Sequence, residues 1–201
     1  MAKELAGKRV AILATDGFEQ DELEKPRMAL QEAGAITEVV SPKSGKIRGW
    51  KYTDWGNEVK VDKEVNEADS KEYDALMLPG GAMNPDHLRM DAKVVEFVGS
   101  FVVSGKPIAA ICHAPWTLIE ANAVKGRRVT SWPSLKTDLR NAGAEWVDQE
   151  VVVDNGIVTS RKPDDIPAFN RKMIEEFAEG KHVQRRTASG FVPGDVLPGE
   201  K

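Results

Sequence analysis

At 201 residues the chain fits one sizeable domain, and a composition of 41% hydrophobic and 30% charged residues is that of an ordinary globular protein. A formal net charge of -4 removes the usual reason to expect nucleic acid or an anionic membrane as a partner. One cysteine excludes an internal disulfide and fits a reducing, cytoplasmic setting; MAKELAGKRVAILATDGF has no apolar signal core, and no apolar run approaches the ~20 residues of a bilayer span.

Residues 8–14, KRVAILA, form a short continuous apolar run of the kind a buried parallel strand needs. A loop at Thr15-Asp16-Gly17 leads to a helix over 19–33 that stops at Gly34, and 36–40 is the next strand. This is a βαβ opening. Residues 44–62 break the rhythm with glycine-punctuated alternation and predict a small hairpin. Its Trp50 and Trp55 suit either a sheet edge or the wall of a pocket or subunit contact.

Residues 74–78 form a third strand that runs into Pro79-Gly80-Gly81. A helix over 91–104 ends at Gly105, and Pro107 opens the strand IAAI (108–111). A helix follows Cys112 to about Ala121, then a strand at 127–131 and a helix from Ser134. Residues 151–154 and 157–160 flank an Asn155-Gly156 turn as a hairpin, and 163–178 is an amphipathic helix. The alternation predicts a single α/β domain over 1–180, with a mostly parallel sheet covered by helices on both faces. Residues 181–201 form a polar tail.

In such a sheet ligands sit at the carboxyl ends of the strands. The loops converging there carry Asp16-Gly17-Phe18-Glu19, Gly80-Gly81 and Cys112-His113. A thiol on a strand-to-helix turn meets free N–H groups that favour thiolate and can hold an oxyanion. The competing reading is that the lone thiol is a small buried hydrophobe. With three histidines, one cysteine and no CxxC or HxxxH spacing, no metal site is expected.

The strings AAICHAP, LPGG, GFEQDEL and GAEWVDQEVVVDNGIVTSRKPDDIPAF, in this order, resemble the PfpI family of intracellular proteases and stress proteins. That family lies in the class I glutamine amidotransferase-like superfamily, beside protein deglycases, glutathione-independent glyoxalases and Hsp31-type chaperones. The resemblance spans most of 8–178 and implies a flavodoxin-like three-layer sandwich. It implies Cys112 as nucleophile, His113 as its neighbouring base, and Glu19 as the carboxyl group on the sulfur. The N–H groups of Gly81 and His113 would form the oxyanion hole. Asp86 would complete a triad from a neighbouring subunit, which makes a homodimer or larger homo-oligomer the expected state. Asn84 is read as a cap of the turn before Pro85, and Trp116 and Trp132 as core or rim.

Three functions follow from these residues. The first is cofactor-free chemistry on small aldehydes or glycated protein, of glyoxalase or deglycase type, through the Cys112 thiolate. The second is a cysteine peptidase acting on denatured protein with a Cys112–His113–Asp86 triad. The third is a redox sensor or chaperone.

Overall fold

The computed structural model describes residues 3–182. In chain order, β1 is Arg9–Leu13, β2 Phe18–Glu19, α1 Gln20–Glu32, β3 Ile36–Ser41, β4 Lys46–Lys51, β5 Asp54–Lys60, β6 Lys63–Glu64 and β7 Ala75–Leu78. Then come α2 Met83–Leu88, α3 Ala92–Ser104, β8 Ile108–Ile111, α4 Pro115–Glu120, β9 Arg128–Val129, α5 Lys136–Asn141 and β10 Glu145–Trp146. The hairpin β11 Val151–Asp154 and β12 Ile157–Ser160 precedes α6 Ile166–Glu179.

Seven strands form the main sheet in the order β11-β12-β8-β7-β1-β3-β6. Every pairing in it is parallel except β11 with β12, the hairpin around Asn155-Gly156. The strand period of two divides β1 cleanly between the two faces. Ala11 and Leu13 join Val94, Phe97 and Phe101 of α3 and Leu118 of α4. Val10 and Ile12 join Leu23 and Leu30 of α1 and Phe169, Met173 and Phe177 of α6. Each fully buried side chain of that size contributes about 1.5–3 kcal/mol. The fold is the flavodoxin-like α/β sandwich expected.

Element ends follow local chemistry. Asp91 caps α3 by accepting from the N–H groups of Lys93 and Val94, and Gly105 closes it in the left-handed region at φ 68. Pro26 lies inside α1, where it cannot donate to the carbonyl four residues back, on Glu22.

Three expectations change. The segment at 127–131 keeps only β9, which pairs in parallel with β10 as a separate two-stranded sheet. Thr130 and Ser131 are buried instead, with the Thr130 N–H donating to Thr159 Oγ1 at 2.9 Å. The 44–62 hairpin joins β2 in its own three-stranded sheet, separate from the main one. Trp50 and Trp55 pair across the hairpin, ring centroids 5.5 Å apart, while Gln20 Oε1 at the start of α1 accepts from the Asn57 N–H at 2.7 Å. The helix at 163–178 opens with a 3-10 turn at Pro163–Asp165. No helix among the described residues is long and apolar enough to cross a membrane. Most of the polar tail, 183–201, lies outside the described residues.

Candidate active site

Cys112 leaves the end of β8 with φ 63, a left-handed conformation that costs a non-glycine residue about 1–2 kcal/mol. Its backbone is held on both sides. The Cys112 N–H donates to the Ser160 carbonyl at 3.0 Å, and the Cys112 carbonyl accepts from the Trp132 N–H at 2.9 Å. Pro115 then starts α4 at a position that needs no N–H.

The loop after β7 closes over this elbow because two glycines let it. A Cβ on Gly80 would meet Glu22 Oε2 at 2.5 Å and Cys112 Cβ at 2.6 Å. Gly81 has φ 82, and a Cβ there would strike the Gly17 carbonyl and the Glu19 nitrogen. The backbone N–H groups of Gly81 and His113 both donate to Cys112 Sγ. These are the two donors expected for an oxyanion.

Asn84 has a larger part than the turn cap expected of it. It is fully buried; its Oδ1 accepts from the Thr15 N–H at 2.7 Å, and its Nδ2 donates to the carbonyls of Pro79 and Gly80 at 2.9 and 3.2 Å. It therefore ties the loop after β1 to the loop after β7. Replacement of Asn84 by alanine strands the Thr15 N–H and the Pro79 carbonyl in a dry site, while the Gly80 carbonyl keeps the Glu19 N–H. The expected loss is about 2–4 kcal/mol, read as a lowered urea midpoint with unchanged slope.

The carboxyl group at the sulfur is that of Glu22, not Glu19. Glu22 is fully buried, hydrogen-bonds Cys112 and accepts from the Gly80 N–H at 3.0 Å. Glu19 is the N-cap residue of α1, one helical turn earlier, and is half-buried. The helix starts at Gln20, and that phase aims position 22 at the sheet end.

His113 Nδ1 lies 3.2 Å from Cys112 Sγ, so the adjacent histidine does reach the thiol. Its other nitrogen is 3.5 Å from Ser134 Oγ. Trp116 meets the imidazole edge-on at 5.3 Å between centroids, and Trp132 stacks on it at 6.0 Å. Both tryptophans form the rim, and Trp132 is exposed. Asp86 is exposed on α2, as is its neighbour His87. Among the described residues no carboxylate hydrogen-bonds His113.

Burial pushes Glu22 up to about 8, and the charge of Glu19 pushes the same way. Burial also pushes the Cys112 thiol up, the Glu22 carboxylate raises it further, and the Gly81 and His113 N–H groups pull it down. Burial lowers His113, which favours the neutral imidazole. Two anions in one dry pocket exclude each other, so near neutrality the Glu22–Cys112 pair keeps at least one proton. The α1 dipole favours an ionised Glu22 by less than ~1 kcal/mol, well short of the several kcal/mol that burying a charge costs.

Among the described residues one cluster has metal-ligand potential: Glu176, Glu179 and His182, whose ligand atoms lie within 4.8 Å of one another. It sits beside Gly156, at the opposite end of the sheet from Cys112.

A buried thiol on a left-handed elbow, with a buried carboxyl group and two N–H donors on its sulfur, defines a cysteine-centred site at the carboxyl end of a flavodoxin-like sheet. The pattern of the DJ-1/PfpI family matches residues 8–176. The Escherichia coli protein named protein/nucleic acid deglycase 2 is 45% identical over 169 residues, 83% of this chain and 96% of its own. Bacillus subtilis YraA, provisionally named a cysteine protease, is 44% identical over 167 residues, 83% of this chain and 96% of its own. Drosophila melanogaster DJ-1beta matches in structure with a TM-score of 0.77 at 28% identity, over 85% of this chain and 90% of that one. The chain belongs to the DJ-1/PfpI family.

Proposed function

We propose that this chain is a cysteine-dependent enzyme that acts on reactive carbonyl compounds, of glyoxalase or deglycase type. The observation that carries this reading is the fully buried Glu22 carboxyl group at Cys112 Sγ, which burial pushes up to about 8. An α-oxoaldehyde such as methylglyoxal shows the steps. The Cys112 thiol gives its proton to the neutral His113 imidazole, whose Nδ1 lies 3.2 Å away; the sulfur adds to the aldehyde carbon, a C–S bond forms, and the carbonyl electron pair moves to oxygen. The Gly81 and His113 N–H groups stabilise that alkoxide, and Glu22 protonates it. Glu22, now a carboxylate, takes the proton from the same carbon and returns it to the neighbouring carbon, with a proton shift between the two oxygens. The product is a hydroxyacyl thioester on Cys112. Water hydrolyses it to lactate and restores thiol and acid, and the proton held by His113 leaves to solvent. On a hemiaminal adduct the sulfur displaces the amine, which leaves with the Glu22 proton.

Purified protein incubated with methylglyoxal, followed by NMR, is expected to form lactate, and a sample alkylated at Cys112 is expected to form none. Equal lactate from the two samples would rule out the thiol chemistry.

Peptidase activity is the second reading, favoured by the 3.2 Å contact between His113 Nδ1 and the sulfur. It also needs a carboxylate to orient the imidazole, and Asp86 of a neighbouring copy is the residue proposed for that part. Carbonyl chemistry needs no such group. Hydrolysis of denatured casein by the native protein is therefore expected to be at least about 10²-fold slower than lactate formation. Casein cleavage at a comparable rate, lost in Asp86→Asn, would reverse the order of the two readings.

A further inference from the structure

Glu19, displaced from the sulfur, sits where it can act on the residue that replaced it. It is the N-cap of α1 and Glu22 is the third residue of the helix. In that arrangement the cap side chain ordinarily bonds a first-turn N–H, and the carboxyl group three residues on reaches back to the cap N–H. Neither bond is made here. Glu19 makes no side-chain cap bond, and its own N–H goes to the Gly80 carbonyl at 3.2 Å. Glu22 turns instead to Cys112 and the Gly80 N–H.

Each of the two carboxyl groups keeps its Oε1 shut away from solvent without a nitrogen or oxygen partner. Groups three positions apart on a helix are neighbours, and two carboxylates so placed in a dry site cannot both ionise cheaply. Their surroundings break the tie. Glu22 is fully buried against a sulfur, whereas Glu19 is only half-buried: burial and the charge of Asp21 raise it, and the Tyr52 N–H at the tip of the β4–β5 hairpin pulls it back down. Tyr52 itself takes a left-handed turn there, at φ 57. The other titratable groups around the pair are Cys112 and His113 from the elbow and Asp21 on α1, itself paired with Lys25 at 2.8 Å.

We propose that Glu19 is a positioning residue: its carboxylate, held by the hairpin tip, keeps the proton on Glu22. This rests on Glu22 being the acid of the carbonyl reaction, and it places that acid under the control of a surface hairpin.

The test needs no substrate. Infrared difference spectra from about pH 5 to pH 10 follow the C=O stretch of a protonated carboxyl group, and loss of the signal in Glu22→Gln assigns it. The native midpoint is expected near 8. Glu19→Gln is expected to release the proton about 3- to 10-fold more readily, a drop in midpoint of about half to one on the pH scale. Glu19→Asp, which keeps the charge, is expected to recover most of it. An unchanged midpoint in folded Glu19→Gln would overturn the proposal, and so would an equal drop in Glu19→Asp. Should Glu19→Gln not fold, carbon NMR of the native protein with labelled glutamate decides: Glu19 must ionise first, and the reverse order would sink the idea. Absence of lactate with the midpoint change intact would dismiss the carbonyl reading alone.

Discussion

Cys112→Ala is expected to abolish lactate formation, with a loss of about 10³-fold or more in kcat/KM, while the protein stays folded. The magnitude follows from the chemistry, because no other side chain here can form the thioester. Survival of the fold follows from the backbone. The two hydrogen bonds that hold residue 112, to Ser160 and from Trp132, involve main-chain atoms only, and alanine keeps them. Alanine inherits the left-handed strain at φ 63, so Cys112→Gly should melt no lower than Cys112→Ala. Circular dichroism with the NMR assay checks both. Residual lactate within tenfold of native would remove Cys112 from the mechanism.

Glu22→Gln is expected to move reactivity and turnover in opposite directions. Glutamine still offers a donor to the sulfur and removes the negative charge that raises the thiol once Glu22 ionises, so alkylation by iodoacetamide above pH 8 should quicken. It cannot carry a proton between the two carbons, so turnover should fall about 10²- to 10⁴-fold. Stability should change too, with a definite sign. A carboxyl raised from 4.5 to about 8 on folding contributes stability that is fully present below pH 4.5 and lost as pH rises through 8. The loss is on the order of a few kcal/mol, because a tenfold change in proton affinity corresponds to about 1.4 kcal/mol. In Glu22→Gln this alkaline decline should disappear and the melting temperature above pH 8 should rise. Parallel losses in alkylation and turnover would show that residue 22 only shapes the pocket.

The sheet and the thiol were legible because their signals are local. The apolar runs at 8–14, 74–78 and 108–111, each stopped by a loop residue, describe strands buried on both faces. The Gly80-Gly81 pair beside Cys112-His113 marks a turn that side chains would block. The choice of carboxylate was not legible. GFEQDELEK offers acids at 19, 21, 22 and 24, and a change of one residue in helix phase rotates a different one toward the sulfur. The resemblance pointed to the first, and the helix beginning at Gln20 selects the third. Helix α2 was missed because six residues carrying Asn84 and Pro85 have too short a period to register. Asn84 itself looks like a turn residue, since its three partners lie on two loops brought together only by the fold.

The double anchoring of Cys112 also governs how the site opens. Its amide hydrogen is locked to β12, the inner strand of the terminal hairpin, beneath a side chain that solvent barely reaches. Exchange of that hydrogen with deuterated water therefore requires β8 and β12 to part, an event close to global unfolding in cost. The Cys112 amide is therefore expected among the slowly exchanging ones, although it ends a strand. Access must then come from the side chains of the rim, by rotation of Trp132 or the imidazole beneath it, on timescales far shorter than any backbone opening.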